Sequence, residues 1–160
     1  MRLARIAGAS LFAAALFAAP LAALPQQSRL DRERARFQAE TDPVRRAKAL
    51  AKLGDEKLNA LRQELAAGEF DAARELMEAH LKNVKSTFEG LKASGRDAEK
   101  KPDGFRQLEM QIRRSIRSLD EAILAMPHDE RERFAEIKGE LDEIDRELLR
   151  MIFPRRPGRR

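Results

Sequence analysis

Cysteine, tryptophan and tyrosine are absent from the 160-residue chain, and histidine occurs only twice. Without cysteine there is no disulfide, no thiol nucleophile and no lipid attachment through sulfur, so stability has to come from packing alone. Without tryptophan and tyrosine, and with the phenylalanines mostly at core-type positions, the chain lacks the aromatic platforms on which bases and sugars stack. Neither His80 nor His128 has a glutamate three residues before it, and no His-Glu-x-x-His occurs, so the usual helical metal motifs are missing. A phosphate-cradling glycine loop and a Gly-x-Ser-x-Gly elbow are missing too. The carboxylates of "ERERFAEIKGELDEIDREL" fall on the outward side of a helical period. A catalytic pair needs a desolvated cleft to pull its two pKa values apart. These absences point to a non-enzymatic protein with no catalytic residue, no cofactor and no metal. His80 reads as a half-buried packing residue, and His128 with Asp129 as turn and capping chemistry.

Apolar residues form one long uncharged run, Ile6 to Leu24, behind Arg2 and Arg5. That is the layout of a secretory signal peptide, with Pro20, Ala22 and Ala23 marking cleavage near residue 23. The alternative is an uncleaved anchor over residues 6–24, because the run approaches the ~20 residues that span a bilayer. Both readings deliver the remainder across a membrane, to the periplasm or the exterior. No comparable run follows, so residues 42–153 read as one domain.

Charge has to be divided before it implies a partner. The chain holds 32 Lys plus Arg against 27 Asp plus Glu; removing Arg2 and Arg5 leaves 30, and removing Arg155, Arg156, Arg159 and Arg160 leaves 26. The body is therefore nearly neutral, and its basicity resides in the two ends. That argues against a nucleic-acid protein and makes the closing arginines the candidate anion-binding residues. "PRRPGRR", residues 154–160, reads as a basic extended tail because Pro154 and Pro157 cannot continue a helix. Arg113, Arg114 and Arg117, with Arg106 about two turns before, form a further small basic patch. Acids stand at helical spacing beside it, so it reads as surface ion pairing.

From Thr41 the apolar residues recur at three and four, a helical period with no strand-type alternation. The first helix is predicted from Asp42 as N-cap and Pro43 at the first position to Gly68, along Val44, Ala47, Ala51, Gly54, Leu58, Leu61 and Leu65. Gly54 followed by Asp55 leaves open a break in this helix. The second helix is predicted from Phe70 to Ala93 and the third from Gly104 to Met126, with "KASGRDAEKKPDG" as the loop between them. The fourth opens after Pro127 with Asp129 as N-cap, and carries the coiled-coil-like seam Phe134, Ile137, Leu141, Ile144, Leu148, Met151. Two tight connections around one longer loop predict an all-α fold: an antiparallel four-helix bundle of two αα-hairpins. Residues 24–41 read as a tether or a frayed extra helix. The first and fourth helices carry opposite charge excess and read as electrostatic complements.

"GEFDAARELMEAH" resembles the turn and second helix of a tetratricopeptide repeat, through Gly68, Phe70 and Ala73. It covers thirteen residues and has no second copy at the repeat period, so a plain helical hairpin is the reading it supports. The chain also shares small size, export and helicity with the periplasmic Spy and CpxP chaperones, although their Leu-Thr-x-x-Gln signature is absent. The expected function is protein binding, chaperone-like action on unfolded chains, or a structural role in the envelope. The alternative is adhesion of the arginine tail to an anionic envelope surface; a remote one is an enzyme with an unrecognised site. Oligomeric state is not readable from the pattern.

Overall fold

The computed structural model describes residues 24–154, and every regular element among them is helical. The helices are α1 (Leu24–Ala39), α2 (Pro43–Ala67), α3 (Phe70–Ala93), α4 (Asp103–Ala125) and α5 (Arg131–Ile152), with a 3-10 turn at His128–Glu130. Residues 1–23, where the sequence suggests a signal peptide, and the tail arginines 155, 156, 159 and 160 lie outside the described residues.

Local chemistry sets the ends of α2. Asp42 is extended and its carboxylate accepts the Arg45 backbone N–H at 2.8 Å, while Pro43 occupies the first turn. At the far end Gly68 adopts a left-handed φ of 78° that a side chain would strain, and the chain re-enters a helix two residues later. The α4–α5 connection is built differently. Asp129 is not the cap; it lies within the 3-10 turn, and α5 begins at Arg131 without a side-chain cap. Arg131 instead donates through Nε to the Met126 carbonyl at 3.1 Å and closes the turn. In the longer loop, Asp97 accepts the backbone N–H groups of Glu99 and Lys100.

The side chains that meet between helices define their directions. Gly54 of α2 lies at the level of His80 and Gln111, whereas Gly104 of α4 lies at the level of Val44 and Leu91. Passing from the second level to the first therefore ascends α2 and α4 and descends α3. Lys85 meets Glu140 and Lys92 meets Glu147 at 3.5 Å, so α3 and α5 run the same way. Arg113 with Asp145 and Lys138 with Asp120 set α5 against α4. Helices joined by a connection are thus antiparallel, but the pairs brought together across the two hairpins, α2 with α4 and α3 with α5, are parallel. The closest packing is α2 on α3, α2 on α4 and α4 on α5, with α1 laid along the outside of α2.

This arrangement separates α2 from α5. The two helices of opposite charge excess do not pair; the ion pairs of α5 to other helices run to α3 and α4. Residues 24–39 rest on α2 through buried Phe37 and half-buried Leu30, and the Arg46 guanidinium lies 4.1 Å from the Phe37 ring centroid.

The core is continuous from Phe37 to Ile152. Helix α5 contributes Phe134, Ile137, Leu141, Ile144 and Leu148, all buried, and then Ile152 rather than the half-buried Met151. Helix α2 is unbroken, and Gly54 is buried in its middle. A Cβ there would stand 2.6 Å from Gln111 Cδ and 3.1 Å from His80 Cε1, so glycine allows the other helices to approach. The helix propensity lost at such a position, ~1 kcal/mol, is offset by that contact.

Candidate functional site

Five polar side chains are buried in the body: Lys57, His80, Thr87, Gln111 and Ser115. Thr87 is accounted for by its own helix, its hydroxyl donating to the Asn83 carbonyl at 2.8 Å. His80 and Gln111 meet at Gly54 and with Ser115 form a polar layer across α2, α3 and α4. His80 Nε2 is 2.8 Å from Ser115 Oγ, and Ser115 donates its hydroxyl proton to the Gln111 carbonyl at 3.0 Å. With the only proton of Ser115 committed, Nε2 must carry the imidazole hydrogen. Nδ1 is left as a bare acceptor, and neither it nor the Gln111 amide has a hydrogen-bond partner.

The electrostatics of the layer follow from desolvation. His80 is fully buried rather than half-buried, and burial, followed by the positive charge of Lys57, pushes its pKa down to about 3. At neutral pH the ring is neutral. Lys57 is 2% exposed, and burial, followed by the charge of Arg34, lowers its pKa to about 8. Two nitrogen bases with displaced pKa values in one region are a common mark of a functional site, although packing networks displace them too.

Lys57 opens onto a groove between α1 and α3, beside Arg34, Phe37, Glu75, Leu76 and Lys82. Its ammonium has no hydrogen bond or ion pair to any described residue. A second recess lies at the end of α5, lined by Leu149, Arg150, Phe153 and Pro154, where Phe153 is 61% exposed.

The remaining candidates from the sequence fall elsewhere. His128 is exposed in the turn before α5. Arg113 pairs with Glu109 and with Asp145 at 3.7 Å, and Arg114 lies 3.5 Å from Asp55, so these arginines serve surface pairing. Burial nevertheless raises the Asp145 carboxyl above its ordinary value, outweighing the Arg113 beside it. Among the described residues no group of three or more histidines and carboxylates is arranged to hold a metal ion, and no helix is long and apolar enough to cross a membrane.

Sequence reasoning missed Lys57, Gln111 and Ser115, yet a signal existed. Lys57 interrupts the apolar line between Gly54 and Leu61, and Gln111 and Ser115 continue the spacing of Leu108, Leu119 and Ala122. Polar residues at core spacing mark a buried layer as readily as a surface. No protein-family model, curated protein or solved structure matches this chain.

Proposed function

We propose that this is an exported, non-enzymatic helical protein that binds a protein partner in the cell envelope, in a chaperone-like or structural role. On this reading residues 1–23 direct export and are removed. Residues 42–153 form the working body, an antiparallel four-helix bundle of two αα-hairpins in its connectivity, and the basic tail follows. The supporting observation is the recess at the end of α5. Single exposed apolar residues are ordinary on protein surfaces. Here, however, exposed Phe153 lines a recess together with Leu149, Pro154 and Arg150, a mainly apolar lining with one charge on the scale of a small binding anchor.

The test is a photo-crosslinking residue placed at Phe153 in cells that secrete the protein, with the same residue at exposed Glu132 as control. A discrete protein adduct from position 153 and none from position 132 is the expected result. Absence of any protein adduct from position 153 removes this reading.

One observation favours a second reading: Arg155, Arg156, Arg159 and Arg160 directly follow the recess in sequence. Each basic residue near an anionic membrane contributes about 1 kcal/mol, enough in sum for weak adhesion. Deleting residues 154–160 then abolishes binding to anionic vesicles at low salt. Equal binding by the full and shortened chains makes the tail a bystander.

A further inference from the structure

We propose that the groove between α1 and α3 is a binding site for a small amphiphilic monocarboxylate, with its head group on Lys57 and its aliphatic tail along Leu76, Ala72 and Ala79. The site is separate from the recess at the end of α5 and does not depend on it.

Lys57 carries the argument. Its side chain rises from α2 on the floor of the groove and is 2% exposed, yet no described residue pairs with it. Holding a largely covered lysine without a counter-ion is unfavourable, and folded proteins commonly supply a partner or neutralise the group. Neutralisation is incomplete here. With its pKa at about 8, the amine remains mostly protonated at neutral pH. The charge acting on it across the groove is that of Arg34, which adds repulsion. Arg34 itself is half satisfied by Asp31 at 3.6 Å. An incoming anion is what this lysine lacks.

The surroundings select the kind of anion. Arg34 and Lys82 stand with Lys57 on the groove wall, and Glu75 is the acid among them. Counting Glu75, their summed charge is still positive and attracts an anion. Half-buried Leu76 with exposed Ala72 and Ala79 supplies an apolar wall, which inorganic anions cannot use, and Phe37 lies buried behind it. The groove encloses about 570 Å³, ample for a medium-chain fatty acid. A carboxylate on Lys57 makes a charge-assisted hydrogen bond, shorter and stronger than a neutral one.

The experiment uses octanoate, octanol and inorganic phosphate as ligands for the mature protein, followed by calorimetry. Octanoate is expected to bind and octanol and phosphate to bind at least about tenfold more weakly, as the loss of a buried, hydrogen-bonded charge pair implies. Lys57→Met keeps the length and apolar stem of the side chain and removes a buried charge, so the variant folds. It is expected to lose octanoate binding by at least about tenfold, whereas Glu75→Gln retains it. The Lys57 amine, read by NMR after reductive ¹³C-methylation, is expected to shift its pKa upward when octanoate is added. No binding of octanoate in the millimolar range, equal binding by Lys57→Met, or an unmoved Lys57 titration each overturns the proposal. Phosphate binding as tightly as octanoate overturns the assignment to a monocarboxylate.

Discussion

Helix α5 and the α2–α3–α4 layer bury side chains of opposite character. All six fully covered positions of α5 are aliphatic or aromatic: Phe134, Ile137, Leu141, Ile144, Leu148 and Ile152. Across the other three helices the interior also holds Lys57, His80, Gln111 and Ser115, with His80 and Gln111 against Gly54. The dry seam gains stability by burial alone and tolerates any condition that leaves the apolar surface unchanged. The polar layer gains direction and register from its hydrogen bonds, but it holds unpartnered atoms and two displaced bases, so its stability depends on pH. Stability and sensitivity are thus assigned to different halves of one core.

The largest effect expected from this contrast is at Phe134, which is fully buried where α5 begins. Phe134→Ala should lower unfolding free energy by about 3–5 kcal/mol. Urea unfolding at pH 7 and at pH 5 measures it, and the loss should be the same at both, since no displaced base touches the seam. A loss that changes with pH would merge the two halves. Met151→Ala, half-buried in the same helix, should cost much less.

Acid should act on the polar layer next. The folded pKa of His80 lies below the unfolded value of 6.5, so between about 3 and 6.5 the unfolded chain holds more protons. The contribution of His80 is complete above 6.5 and is lost as pH falls towards 3, at about 1.4 kcal/mol per unit. Lowering pH from 6.5 to 4 should therefore remove roughly 3 kcal/mol in the wild type beyond what carboxylates account for. His80→Leu leaves Ser115 donating to Gln111 and has no imidazole to protonate. The difference between the two pH profiles isolates the histidine, and parallel profiles would show that the layer admits the proton without opening.

The same contrast explains what could be read from sequence. The start of α2 at Asp42 and Pro43, its stop at Gly68 and the seam from Phe134 to Leu148 were legible, because each depends on near neighbours in the chain. The register of α4 was not fully legible. Its apolar line through Phe105, Leu108, Ile112 and Leu119 is buried, but Ile116 and Ile123 are only half covered, while Gln111 and Ser115 are enclosed. Helix α4 is packed by α2 on one flank and α5 on the other, so its buried arc is wider than one stripe. The depth of His80 and Lys57 was hidden for the same reason, since burial is set by which helices arrive. Opposite net charge on α2 and α5 carried no information about adjacency, because short-range pairs, not helix totals, fix contacts.

Lys57 gives a smaller effect of the opposite sign. Replacing a buried, unpaired ammonium by a methionine should stabilise the ligand-free protein by roughly 1–3 kcal/mol at pH 7. The folded pKa of about 8 is below the ordinary 10.5, so the wild type gains stability as pH rises between these values and sheds its proton. The advantage of Lys57→Met should therefore shrink from pH 8 to pH 10.5. Thermal melts across that range provide the measurement, and an advantage constant with pH would mean that the ammonium is solvated.

The smallest effect concerns the polar side of α5. Lys138 reaches Asp120 of α4 at 3.1 Å and Asp142 of its own helix at 3.6 Å, with 29% of its side chain exposed. Both acids raise its pKa, the hydrogen bond to Asp120 being the largest cause. Geometry of this quality tempts one to credit the pair with holding α5 in place. The physics is less generous, since water screens the charges and two flexible side chains lose freedom to meet. A double-mutant cycle of Lys138→Met and Asp120→Asn should yield a coupling of about 0.2–1 kcal/mol that declines with added salt. The seam beneath already fixes the helix, so removing the pair leaves its position unchanged. A coupling above roughly 2 kcal/mol, insensitive to salt, would place Lys138 in a desolvated network. Helix α5 would then depend on buried charge as the other half of the core does.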